Sequence, residues 1–155
     1  MINGLSVTIE TAGECDVIVT RTFNAAPQLV FDAFTKPELI RKWYTAGTME
    51  RCESDPRPGG AWRFVMTRRG KTVGQYGVYK EVAAPDHFAR TERWDDWDPG
   101  ETLVSLDLAE RGAQTIMTMT LAFPSKDVRD VVMKTGLTPE STGEFFDRLD
   151  EVLRS

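Results

Sequence analysis

The chain has 155 residues, 41% apolar and 28% charged, and its 19 basic against 24 acidic side chains leave a net charge of −5. That length suits one domain over residues 1–155, able to bury roughly two thirds of the surface its unfolded form exposes. No run approaches the roughly 18 apolar residues of a membrane span, and the acidic balance argues against nucleic acid as a partner, which would need clustered positive charge.

The opening residues carry no basic region followed by an apolar block, so no secretory signal is read and a cytoplasmic location with reduced thiols is expected. Cys15 and Cys52 lack a CxxC spacing and read as small structural residues rather than as a metal or redox pair. Residues 1–14 are polar apart from Leu5, Val7 and Ile9, whose alternation suggests a short or frayed strand. From Asp16 to Asn24 the β-branched run DVIVTRTFN reads as a full strand.

The period then changes. Pro27 suits the first position of a helix, and Leu29, Val30, Ala33 and Phe34 recur at helical spacing before Pro37 restarts the chain. A second short helix follows, with Thr35 as its cap and Leu39, Ile40 and Trp43 facing inward. After Gly47 the chain is β for about half its length. Thr48 to Asp55 forms a weak strand and PRPGG a turn. In AWRFVMTR, the residues Trp62, Phe64 and Met66 share one face. Arg68 to Lys71 turns the chain into QYGVYKEV, where Gly77 marks a bulge or a close approach. HFARTERW, TLVSLDLAE and QTIMTMTLAF supply three more strands, separated by the acidic DDWDPGE and by Arg111–Ala113, and short connections favour antiparallel neighbours.

Ser125 can cap a short helix in which Val128, Val131 and Val132 point one way and which ends at Gly136. The last helix starts at a Thr138 cap with Pro139 at its first position. Its apolar stripe, Phe145, Phe146, Leu149, Val152 and Leu153, needs a surface to cover. Its first turns are thin, with Ser141, Thr142 and Gly143. A helix packed closely at one end and thinly at the other leaves room for a pocket under the thin end.

This order, together with RTFNAAPQLVFDAFTKPELIRKWY, DPRPGGAWRFVM, GVYKEV, RTERW and FFDRLDEVL, resembles the helix-grip, START-like (SRPBCC) superfamily. The branch it resembles is the one similar to the C-terminal domain of the activator of Hsp90 ATPase. The resemblance implies an α+β fold: an antiparallel sheet of about seven strands curved around a long C-terminal helix, two short helices after the first strand, and a cavity between sheet and helix. Its members include lipid carriers, polyketide cyclases and aromatases, and chaperone activators, so fold alone does not assign function.

Aromatic and sulfur side chains on alternating strand positions are what such a cavity would use: Trp62, Phe64 and Met66, then Tyr76 or Tyr79, then Met117 and Met119 ahead of Leu121 and Phe123. The same stripe is also what an ordinary core looks like, and the resemblance tips it toward a pocket. Trp43, Trp94 and Trp97 sit near element ends, where an indole meets a ligand or caps the core. Glu92 and Arg93 lie on opposite strand faces, so only one of them looks inward, and whichever does is a candidate polar anchor; Arg93 is placed among the cavity candidates, with a cross-strand surface pair as its alternative. Ser141, Thr142 and Phe145 are assigned to the pocket, and Phe146, Leu149 and Val152 to the core.

No metal or cofactor is expected. Asp95, Asp96, Asp98 and Glu101 lack the spacing of a calcium loop, His87 is the only histidine, and Gly59–Gly60 lacks a phosphate-loop pattern. The expected partner is a hydrophobic small molecule, lipid-like or polycyclic aromatic, with a cyclase-type enzyme or a chaperone partner as alternatives. An exposed edge strand leaves a homodimer open.

Overall fold

The computed structural model describes residues 7–155. Thr8–Ala12 (β1) and Asp16–Phe23 (β2) are followed by two helices, Pro27–Thr35 (α1) and Pro37–Trp43 (α2). Six strands come next: Thr48–Ser54 (β3), Ala61–Arg68 (β4), Lys71–Ala83 (β5), His87–Trp94 (β6), Thr102–Arg111 (β7) and Gln114–Ala122 (β8). Lys126–Thr135 (α3) and Pro139–Arg154 (α4) close the chain. The strands form one antiparallel sheet of eight in the order β1-β2-β8-β7-β6-β5-β4-β3. This is the α+β helix-grip architecture, with one strand more than the seven expected. The extra strand is β1, where Ile9 pairs with Val19; Leu5 lies outside the described residues.

The strand alternation sets the inner face. Val17, Val19, Arg21 and Phe23 of β2 are buried in turn, as are Thr102, Val104, Leu106 and Leu108 of β7. Against that face lie α1 and the second half of α4: Phe146 meets Phe23 edge-on at 6.0 Å between ring centroids, and Phe31 and Phe34 both meet Phe88. Arg21, 1% exposed, reaches up to Asp147 of α4 at 3.0 Å and ties sheet to helix.

Three helix starts follow their sequence signals, the first of them α1, which opens on Pro27 as expected. Thr138 Oγ1 accepts from the Ser141 amide at 3.1 Å, with Pro139 at the first position of α4, and Ser125 Oγ accepts from the Val128 amide at 3.2 Å. One helix start and two inward positions differ from expectation. Lys36, not Thr35, is the N-cap of α2, because Thr35 is still inside α1 and donates to the Phe31 carbonyl at 2.9 Å. Leu29 is exposed while Phe31 takes the inner position on α1. Val131 is likewise exposed, since α3 turns only Val128 and Val132 toward the core.

Gly77 is a close approach rather than a bulge; the register shift in β5 falls later, between Tyr79 and Glu81. A Cβ at Gly77 would collide with the Thr91 carbonyl and Trp62 Nε1. The bare backbone lets the Trp62 indole cross β5 and donate to the Thr91 carbonyl of β6 at 2.9 Å.

Candidate functional site

Between the inner face and the first half of α4 lies a cavity of about 460 Å³, within the size range of small-molecule sites. Val19, Val104, Met119 and Leu121 form its sheet wall, and Val128, Val132 and Leu137 its α3 side. Thr142, Phe145 and Phe146 form the roof, with Ser141 toward its rim. Trp94, Trp97 and Pro99 stand on the loop side. The opening exists because α4 places Ser141 and Thr142 where its later turns place Phe146 and Leu149.

The cavity also has polar groups, two of them, Arg90 and Glu92, on β6. Phe88 is fully buried on the inner face, so alternation carries Arg90, Glu92 and Trp94 inward with it. The guanidinium of Arg90 lies 4.3 Å from the Trp62 ring centroid and 5.2 Å from that of Phe88, and donates to the Tyr79 hydroxyl at 3.3 Å. Such stacking holds a cation out of water at reduced cost. Burial works against the Arg90 charge, and Tyr79, Tyr44 and Glu92 more than restore it, so its pKa stays raised. Burial pushes the Glu92 carboxyl above the usual carboxylate range, with Arg90 only partly opposing. Tyr44 donates to Gln75 Oε1 at 3.3 Å, and burial, then the neighbouring Glu92, raises its pKa too. Thr142 is 4% exposed and its Oγ1 has no hydrogen-bond partner among the described residues. A mostly apolar cavity with a few convergent polar groups is what orients a small molecule.

Of the residues selected from sequence, Trp94, Trp97, Met119, Leu121, Phe123, Ser141, Thr142 and Phe145 line this space. The others are placed elsewhere. Trp43 is fully buried, donating from Nε1 to the Ala33 carbonyl at 2.9 Å, so it caps the core. Trp62, Phe64 and Tyr79 sit behind Arg90, supporting it without lining the cavity. Met117 is buried two residues further along β8 than the cavity reaches. Met66 borders a separate shallow depression with Arg68, Arg69 and Lys71. Tyr76 faces outward, with the Arg63 guanidinium 5.7 Å from its ring centroid. Arg93 is its cross-strand neighbour on that outer face, bound to Asp98 at 2.7 Å. The inward member of the Glu92–Arg93 pair is therefore Glu92.

Tyr44, Gln75, Arg90, Arg68 and Arg148 also line the cavity, none of them a candidate from sequence, and so does Glu92, one of the two inward candidates. For Arg90 and Glu92 the signal was present, since both share the parity of Phe88. His87 lies on the outer side, its Nε2 2.8 Å from Glu81 Oε1 and its Nδ1 2.8 Å from Asp107 Oδ1. The two carboxylates flank opposite edges of the ring, and among the described residues no group of three such side chains could hold a metal ion. Both cysteines are free, and no described helix is long and apolar enough to cross a membrane.

A sheet gripping a C-terminal helix, with an internal cavity under that helix's first turns, defines a helix-grip protein. A family model described as Activator of Hsp90 ATPase homolog 1-like protein matches residues 24–154, and the chain belongs to that family. Among solved structures, it is similar to a Rhodobacter sphaeroides protein at 28% identity, with a TM-score of 0.87 over 96% of this chain and 97% of that one. It is similar in fold to Ms6760 from Mycobacterium smegmatis, at 20% identity and a TM-score of 0.82 over 95% and 96% of the two chains. CalU16 from Micromonospora echinospora shares the fold at 20% identity and a TM-score of 0.60, over 97% and 87%. No curated relative matches the chain.

Proposed function

We propose that the protein binds a hydrophobic small molecule, lipid-like or polycyclic aromatic, in the cavity beneath the first half of α4. The observation that carries this reading is the cavity itself: about 460 Å³ walled by Val19, Val104, Met119, Leu121 and Phe145, in a fold whose family often binds hydrophobic ligands. A fully packed domain would close such a space, because apolar voids of that size cost stability. The unpartnered Thr142 hydroxyl supports the reading, since a ligand oxygen would satisfy it. Native mass spectrometry and thermal shift against a panel of lipids and polycyclic aromatics test it: a retained mass and a raised melting temperature are expected, and neither appearing across the panel overturns it.

One observation favours a second reading, a cyclase- or aromatase-type enzyme. A carboxyl with a raised pKa in a cavity beside Arg90 and Tyr44 is suited to moving a proton on a bound carbonyl compound. Wild type accelerating cyclisation of a poly-β-keto thioester, with the rate lost in Glu92→Gln, would support it; no acceleration over buffer would exclude it. The family's description suggests a chaperone partner instead. That reading requires a change in the ATPase rate of an Hsp90-type chaperone on addition of this protein.

A further inference from the structure

The mouth of the cavity carries two arginines, Arg68 and Arg148, that form no ion pair among the described residues. The β4–β5 hairpin turns through Arg69 and Gly70, with φ of 54° and 78°. Two consecutive left-handed residues make the tight turn that suits twisted antiparallel strands. This holds Arg68 and Lys71 opposite each other at the strand ends. Arg68 lines the cavity, is exposed, and forms no ion pair or side-chain hydrogen bond among the described residues.

Arg148 lines the same mouth from α4. Its Nε donates to the Trp43 carbonyl at 3.0 Å and its guanidinium carbon stands 5.7 Å from the Phe145 ring centroid, and among the described residues neither terminal amino group has a hydrogen-bond or ion-pair partner. Burial, and then the charge of Arg68, lowers the Arg148 pKa, with Glu144 opposing. Arg68 and Arg148 thus line one cavity as two like charges, and the charge of Arg68 is felt at Arg148. Arg68, Arg69 and Lys71 also border the adjoining depression, so the rim is basic in a chain whose net charge is −5. Glu144 and Glu92 are the carboxylates among the cavity-lining residues. Deeper in, the Arg90 guanidinium lies against Trp62 and Phe88 and donates to the Tyr79 hydroxyl, with its Nε buried and without a hydrogen-bond partner among the described residues, and Glu92 is the carboxylate whose charge reaches it.

We propose that Arg68 and Arg148 form a headgroup site, and that the ligand is an amphipathic acid whose apolar body fills the cavity while its carboxylate or phosphate lies between the two guanidinium groups. The inference rests on the ligand-binding reading above and adds the ligand's charge and its orientation, head outward. Guanidinium forks bind such anions through paired charge-assisted hydrogen bonds, and an anion here also relieves the repulsion between the two arginines.

Calorimetric titration with monomeric decanoate, with decan-1-ol, and with phosphatidylglycerol vesicles tests it. Decanoate should bind about tenfold more tightly than decan-1-ol, a ratio that shrinks with added salt. In Arg68→Gln, checked for folding by circular dichroism, the ratio should fall toward one. Arg148→Lys, which keeps the charge and loses the fork, should give an intermediate ratio; if that variant does not fold, Arg68→Gln alone decides. Vesicle binding that depends on Arg68 where decanoate fails to bind would place the same headgroup site on a lipid rather than a free acid, and also supports it. Equal binding of acid and alcohol to wild type overturns the headgroup site while leaving the cavity's ligand role standing. No binding by any of the three overturns the headgroup site, and the panel of lipids and aromatics then decides the cavity separately.

Discussion

At the scale of single residues, a chain of necessity runs from Gly77 to Glu92. Gly77 has no Cβ, so Trp62 can cross β5; Trp62 in place gives Arg90 a ring to lie on; and Arg90 beside Glu92 makes a buried carboxyl tolerable. Gly77→Ala should therefore lower stability by about 2 kcal/mol, the range for overpacking, as read from urea unfolding. A loss under about 0.5 kcal/mol would show that Trp62 can shift freely. Glu92 has a pH signature. An unfolded glutamate titrates near 4.3, approximately, and the folded value lies above that. The folded state holds this proton more tightly, so the group's contribution is complete below the unfolded pKa and is lost as pH rises through the folded one. Glu92→Gln, neutral throughout, should match wild type in melting temperature near pH 4 and exceed it increasingly toward pH 8. A difference that does not change with pH would contradict the burial argument. The sequence leaves Glu92 and Arg93 as alternatives for the inward position, and parity decides between them: Phe88 sets the inner face of HFARTERW, and counting in twos from it reaches Glu92 and Trp94.

At the scale of elements, the last helix divides as its sequence suggests. Thr138 and Pro139 mark the start, Phe146 and Leu149 bury almost completely, and Ser141 and Thr142 stand over the cavity. Phe146→Ala should cost about 3–5 kcal/mol, because it empties a site packed against Phe23. Thr138→Ala should cost about 1 kcal/mol through loss of the cap. The order of these two losses in chemical denaturation is the check; a Thr138→Ala loss equal to or larger than that of Phe146→Ala would refute the division. Strands were less transparent. Period two tells which face a side chain occupies and not how far along the sheet the cavity extends. Met117 and Met119 share a face and a strand, yet the first is core and the second borders open space. Trp62, Phe64 and Tyr79 face inward yet lie behind Arg90 and not at the cavity, a depth that depends on neighbours distant in sequence. Tyr76 was ambiguous with Tyr79 until their pairings with Arg93 and Arg90 separated them.

At the scale of the whole molecule, the eight-stranded sheet closes on α4 firmly at one end and loosely at the other, and the loose end holds both the polar residues of β6 and the basic rim. Element order and the two halves of the final helix were enough to anticipate that space. Its chemistry was not, because Tyr44, Gln75, Arg68 and Arg148 come from four elements or their ends and carry no common spacing. The central claim is that the space takes an apolar molecule, and the two methionines of β8 are its sharpest probes. In a protein labelled at the methionine methyl groups, titration with a binding partner from the lipid and aromatic panel should move the Met119 resonance and leave Met117 in place. Shifts at Met117 and Met119 alike, or at Met66 with Met119 unmoved, would contradict the account.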